Sequence, residues 1–150
     1  VPYFINFKHI LNESKAGKEA QEFLKKKLAN GIKKLQDQEK AIQDSEKKII
    51  QQKKVTDPEE YKKKVKELRN RVALLQKERD SLLDGVAKQR AKARNELLKN
   101  LNPIMKEYMK EKKIRMVINK SSILLADENL DITKDIISIL NKKLKSIKLN

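Results

Sequence analysis

The feature that most constrains this chain is a seven-residue apolar repeat near its start. The repeat consists of Leu28, Leu35, Ile42 and Ile49. The other positions facing the same side are mostly small or polar, namely Leu24, Gly31, Gln38, Ser45 and Gln52. Such spacing is typical of helices that pair in a coiled coil. It predicts a helix over about residues 13–54 with one well-packed side and one loosely packed side.

A second helical stretch follows after a proline. Pro58 suits the first position of a helix, where its missing N–H is not needed. A regular 4-3 spacing then includes Tyr61, Val65, Leu68, Val72, Leu75, Arg79, Leu82 and Val86. Pro103 predicts a kink or a break further along. Because the connection is short, the two helices are predicted to form an antiparallel hairpin over residues 13–110, with its tip near 55–58.

Short apolar runs near both ends of the chain predict strands. Residues 3–10 alternate in character and are rich in aromatic and β-branched side chains. Residues 114–118 and 123–126 are two further apolar runs, separated by Asn-Lys-Ser-Ser. The second and third runs together predict a β-hairpin.

These runs predict a small α+β body, so the expected fold class is mostly α with a small β body. The body would comprise residues 1–12 and 111–150 and would include a last helix capped by Asp131 or Thr133. About 50 residues with open strand edges are marginal alone, so we expect the body to oligomerise through its sheet. The residues predicted to form its core or interface are Phe4, Phe7, Met116, Ile118 and Leu124.

Composition argues against an enzyme. The chain has no cysteine, and His9 is its only histidine, with no carboxylate cluster near it in sequence. No glycine-rich phosphate loop and no apolar run long enough to span a membrane is present. We therefore predict no catalytic residues, no cofactor and no metal site.

Basic charge is spread along the chain and is concentrated around the predicted tip. The formal net charge is +16, from 37 basic and 21 acidic residues. Between positions 47 and 66, eight lysines oppose three acidic residues, a net of +5. These lysines are Lys47, Lys48, Lys53, Lys54, Lys62, Lys63, Lys64 and Lys66. They could steer acidic partners or phospholipid, or they could simply keep a solvated helix end soluble.

Four apolar residues lie outside the repeat and would face water on an isolated hairpin. They are Phe23, Ile50, Leu74 and Leu83. One interpretation is that they line a cavity and contact a bound protein. The other is that they are ordinary scattered apolar residues of a soluble surface.

Two segments that flank the arm resemble the Skp/OmpH family of periplasmic chaperones. The first is "ILNESKAGKEAQ", residues 10–21, and the second is "LNPIMKEYMKEKKIRMVINKSSILLADENLDIT", residues 101–133. Asn6 departs from the family pattern, in which an Asp is expected. The resemblance implies a homotrimer with a barrel-like β hub and three helical arms around a cavity. It also implies that unfolded outer-membrane proteins are held without ATP, and it links the family to anionic lipid.

The function predicted from this resemblance is an ATP-independent holdase in the periplasm, its export signal removed. A basic coiled coil that binds nucleic acid is a first alternative, although its basic residues are interleaved with acidic ones and no aromatic stacking platform is evident. Nucleic acid is therefore an unlikely partner. A structural adaptor is a second alternative.

Overall fold

The computed structural model describes residues 1–149, which are predominantly helical. The elements are β1 (Tyr3–Ile5), α1 (Phe7–Glu13), α2 (Lys15–Gln51), α3 (Pro58–Lys112), β2 (Val117–Asn119) and α4 (Thr133–Lys143). Short 3-10 turns lie at Lys120–Ser122 and Glu128–Leu130. The sheet contains only β1 and β2. Two long helices beside a very small sheet confirm the predicted fold class.

The first strand is shorter than the sequence predicts, because Asn6 starts a helix. The Asn6 side-chain oxygen accepts a hydrogen bond from the His9 backbone N–H at 3.1 Å, which makes it the N-cap of α1. The next donor, the Phe7 N–H, is bound by the Asn119 side chain at 3.2 Å. The prediction that a strand continues to residue 10 is therefore wrong, and Asn6 itself performs the capping role.

The predicted β-hairpin is also wrong. Residues 117–119 form β2, but β2 pairs in parallel with β1, with Tyr3 opposite Val117 and Ile5 opposite Asn119. Residues 123–126 form no strand. Leu124 is fully exposed and Leu125 almost so. Only Ile123 of this run is partly buried, so the run gains little burial within one chain and forms no hairpin strand.

The chain divides into two compact units. The body unit contains residues 1–24 and the chain from residue 88 onward, and the arm unit contains residues 25–87. These bounds differ from those predicted from sequence, which place the body at residues 1–12 and 111–150 and the arm at residues 13–110. The predicted bounds describe a division into an oligomerising body and an arm, and that division stays a prediction. Apart from two strands of three residues each, the body is built from helices and turns.

One stripe of α3 forms the centre of the body core. Its buried members are Leu97, Leu101, Ile104 and Tyr108. Packed against them are Ile5, Phe7, Ile10, Ile114, Ile132, Ile136 and Leu140. Pro103 lies within this stretch, yet α3 runs through it to Lys112. The helix is therefore not broken at Pro103, whereas the alternative of a kink there stays a prediction. Apolar burial on both sides of Pro103 offsets the cost of a proline inside a helix, about 3 kcal/mol for the lost hydrogen bond and the ring clash together.

The arm unit is an antiparallel helix pair, as predicted. The Glu39 carboxylate lies 3.6 Å from the Arg79 guanidinium, and an Arg71 nitrogen donates to the Ser45 hydroxyl at 3.1 Å. Pro58 is the first residue of α3, which confirms its predicted position. This ion pair and this hydrogen bond join distant positions of the chain and fix the register of the helix pair.

The start of α2 requires a glycine at position 17. Ser14 caps this helix, because its hydroxyl accepts from the Gly17 N–H at 3.1 Å. A Cβ atom at Gly17 would overlap the Leu11 carbonyl oxygen, which belongs to the backbone and cannot rotate away. At Gly85, by contrast, an added Cβ would meet nothing within 4 Å.

We expect Gly17→Ala to lower the free energy of unfolding by about 2 kcal/mol or more, since α1 and α2 must move apart. Gly85→Ala is the matched control and should raise it by about 0.5–1 kcal/mol, through the better helix propensity of alanine. Chemical denaturation at one fixed protein concentration measures both. Equal effects of the two substitutions would contradict the close approach at Gly17.

Candidate functional site

The eight predicted lysines surround the turn between α2 and α3. Lys47 and Lys48 end α2, Lys53 and Lys54 lie in the turn, and the others belong to the first turns of α3. All are exposed except Lys64, which is partly buried. The structure therefore brings seven freely solvated ammonium groups to one end of the arm unit.

Local contacts order part of this basic tip. The Lys64 ammonium lies 3.9 Å from the Glu60 carboxylate, and the Lys53 ammonium lies 5.5 Å from the centre of the Tyr61 ring. The Thr56 hydroxyl donates to the Gln52 carbonyl at 2.6 Å, so it satisfies the end of α2. Val55 is largely exposed among these cations. The tip is thus a compact cationic surface with an apolar residue at its centre.

The four predicted apolar surface residues are all about half exposed, between 47% and 59%. Ile50, Leu74 and Leu83 belong to the arm unit, whereas Phe23 belongs to the body unit. The structure adds Val72, which the sequence pattern places in the helix seam but which is half exposed. Apolar contact area is therefore distributed along the arm unit rather than gathered into one patch.

Two shallow depressions lie between the helices of the arm unit. Ile50 and Val72 border one of about 420 Å³, which Tyr61, Val65 and Leu68 also line. Leu74 borders a smaller one of about 170 Å³ beside Gln38 and Ile42. The Gln38 side-chain oxygen is buried there without a hydrogen-bond partner among the described residues. The smaller depression therefore lies beside a polar position of the seam.

The predicted body residues separate into two groups. Phe4 and Phe7 are buried within their own chain. Met116 is 58% exposed, Ile118 is partly buried, and Leu124 is fully exposed. The first group therefore stabilises the single chain, and the second group is accessible to a partner.

The outer edge of β2 is the most distinctive surface of the body. The opposite edge of the sheet, formed by β1, is already occupied, because the Phe4 carbonyl accepts a hydrogen bond from the Ile132 N–H at 3.0 Å. Among residues 1–149, β2 has only β1 as a strand partner. Beside it lies an apolar groove of about 920 Å³, lined by Ile5, Leu98, Leu101, Met105, Met109, Met116, Val117 and Ile118. Its polar lining includes Lys99, Lys106 and Arg115.

Among the described residues, Tyr108 is the one acidic group whose pKa is strongly shifted, and the contacts that shift it stabilise the fold. Its hydroxyl donates to an Asp135 carboxylate oxygen at 2.7 Å. Burial, and then the hydrogen bond to Asp135, raise the pKa of Tyr108 from 10.0 to about 12. Tyr108 therefore stays protonated near neutral pH and joins α3 to α4.

Because the pKa of Tyr108 is higher in the folded state, its contribution to stability is complete below pH 10 and is lost as the pH rises toward about 12. We expect the free energy of unfolding of Tyr108→Phe to fall less steeply over this interval than that of the parent chain. Denaturation at several alkaline pH values measures the two slopes. Parallel curves would contradict the shifted pKa.

No group of His, Cys, Asp and Glu side chains in residues 1–149 is suited to hold a metal ion. Within the same residues, no helix is both long and apolar enough to cross a membrane. The remaining surfaces are a cationic tip, distributed apolar side chains and an open strand edge. They lie on a fold of two long helices and a very small sheet.

The family model for OmpH-like outer membrane proteins matches residues 3–140. The chain belongs to this family, which confirms the resemblance found in the sequence. A crystal structure of a proposed outer membrane chaperone (OmpH-like) from Caulobacter crescentus CB15 is similar, with a TM-score of 0.90 at 16% identity. The similarity covers 98% of this chain and 87% of that one and shows a common fold. No curated relative matches this sequence.

Proposed function

We propose that this protein is an ATP-independent periplasmic holdase that encloses unfolded outer-membrane β-barrel proteins and prevents their aggregation. The observation that carries this proposal is membership of the OmpH-like family across residues 3–140. The similar Caulobacter protein is itself described as a proposed outer membrane chaperone. In this role the protein is a binding protein and not an enzyme.

The open edge of β2 supports assembly into a homotrimer. A strand edge beside an apolar groove favours pairing with another chain. We propose that residues 123–126 of a second copy occupy this groove, since Leu124 and Leu125 are exposed and need an apolar partner. An edge on one copy that receives a different segment of the next copy is a head-to-tail contact, and such contacts form a ring when the rotation between copies closes. The family resemblance gives three as the number of copies.

Client binding would rest on many weak contacts. Single half-exposed side chains such as Ile50, Leu74 and Leu83 each bury little area, but three arms around one client multiply the contacts. Unfolded proteins expose apolar segments that are normally buried, and these fit shallow apolar depressions between helices. No nucleotide is needed for binding of this kind.

The basic tip would accelerate capture. Its net charge attracts acidic segments of a client over distances near the Debye length. Anionic lipid headgroups are a second partner with the same charge, and Val55, exposed beside Lys53 and Lys54, favours contact with a lipid surface. Vesicles with and without anionic lipid would separate this partner from the client.

The mass of the particle in solution tests the assembly. Three chains of 17.5 kDa predict about 53 kDa for the parent protein. We expect Leu124→Glu to shift the mass toward one chain, because a carboxylate cannot enter an apolar groove without a large desolvation cost.

The control for this experiment is Leu83→Glu, which changes a half-exposed leucine of the arm unit and should leave the mass unchanged. Neither leucine is buried, so neither substitution disturbs a core. A parent protein that is a single chain at micromolar concentration would remove the cavity and the holdase proposal with it.

The tip lysines are tested by charge neutralisation. We expect replacement of all eight by glutamine to slow capture of an unfolded barrel protein about tenfold at low salt, because electrostatic steering is lost. Stopped-flow measurement of capture against ionic strength gives both the rate and its salt dependence.

The control removes eight exposed lysines from elsewhere, so that both variants have the same net charge. These are Lys25, Lys26, Lys33, Lys34, Lys40, Lys77, Lys110 and Lys112. A smaller effect of the control locates steering at the tip. Equal slowing in both variants would show that only net charge matters.

Tighter binding of the parent to duplex DNA than to unfolded barrel protein would favour the nucleic-acid alternative.

A further inference from the structure

The segment that follows α4 packs against the two long helices. α4 ends at Lys143, and the family match ends at residue 140. Residues 144–149 then continue without helix or strand structure. We propose that these residues form a clasp that holds α2 and α3 together at the point where both helices leave the body unit.

The end of the clasp is anchored in a small apolar site of its own. Leu149 is only 8% exposed and packs with Ala20, Leu24 and Ala93. Its backbone carbonyl accepts a hydrogen bond from the Gln89 side chain at 3.0 Å. The leucine therefore contacts α2 through one pair of residues and α3 through another.

The middle of the clasp connects this site to the body core. Ile147 packs against both the Leu149 cluster and the main core of the body, and Leu144 packs against the main core. Lys145, Ser146 and Lys148 are exposed. This separation of apolar and polar side chains shows that the segment has a defined inner face.

The site needs the clasp because the helices present small side chains there. Ala20 and Ala93 have little apolar area to bury against each other. Leu149 supplies the missing bulk and covers both alanines, so the pairing of α2 with α3 is stabilised by a third segment of chain.

A clasp of this size can open without unfolding the body. Its apolar contacts are the buried Leu149 and two partly buried side chains, Leu144 and Ile147, with a hydrogen bond from Gln89 to the Leu149 carbonyl, whereas the body core contains eleven buried residues. Segments with few buried contacts open locally at a much smaller free energy than the core. An open clasp would loosen the helix pair at its origin. If the protein holds clients as proposed above, clasp opening would regulate how far each arm can yield.

Hydrogen exchange on the full chain tests the clasp. We expect Leu149→Ser to increase exchange about tenfold or more in peptides from residues 15–24 and 88–97, because one buried leucine is lost. Peptides from α1 and α4 should exchange as in the parent. The matched control is Lys148→Ser, which changes the exposed neighbour and should leave all peptides unchanged.

Ile147→Ser is a second variant that acts at the middle of the segment. It should accelerate exchange in the same helix peptides, since it removes the side chain that packs against both clusters. Unchanged exchange in both variants would overturn the clasp. Uniformly faster exchange across the body would also overturn it, because Leu149 would then be an ordinary core residue.

The exchange experiment contains no client, so its outcome is independent of the holdase proposal. A chain that fails to capture unfolded barrel protein but shows the expected exchange would lose its proposed function and keep the clasp. A chain that captures clients with equal exchange in every variant would keep its function and lose the clasp.

Discussion

The structure depends on one stripe of apolar side chains near the end of α3. Leu97, Leu101, Ile104 and Tyr108 belong to the same helix as the arm unit's second half, yet they form the centre of the body core. Both units therefore share an uninterrupted helix. The burial in this stripe is strong enough to carry the helix through Pro103.

The arm unit is stabilised differently, because two helices cannot enclose a large core. Leu35, Ile42 and Val86 are buried between them, but Gln38 and Ser45 occupy alternate seam positions. Polar seam positions reduce the apolar area that pairing buries and leave gaps beside the seam. A thin pair with half-exposed apolar side chains is poorly suited to tight binding at one point. It is well suited to many loose contacts with a partner that has no fixed shape.

The helices could be predicted from sequence because their signals are local. Apolar spacing, Pro58 and the short turn all act within a few residues. Residues 3–5 and 117–118 fall within runs predicted as strands, but their parallel pairing could not be predicted, since β1 pairs with residues more than 110 positions away. In the run at 123–126, only Ile123 is partly buried within one chain. The exposed lysines and leucines were identifiable as surface residues, but their partners were not. The available signal for the clasp was the presence of three apolar residues, Leu144, Ile147 and Leu149, among lysines and a serine.

The parallel pairing of β1 with β2 has a consequence for how the chain matures. Residues 3–5 meet residues 117–119, and the Asn6 N–H donates to the Thr133 hydroxyl, 127 positions later. A polypeptide that emerges from a ribosome or a translocation pore in the N-to-C direction cannot complete these contacts until residues 117–133 have also emerged. The helical hairpin, whose contacts are local, can form beforehand. During that interval apolar residues of β1 and α1, such as Phe4, Phe7 and Ile10, would lack the partners that bury them in the folded chain.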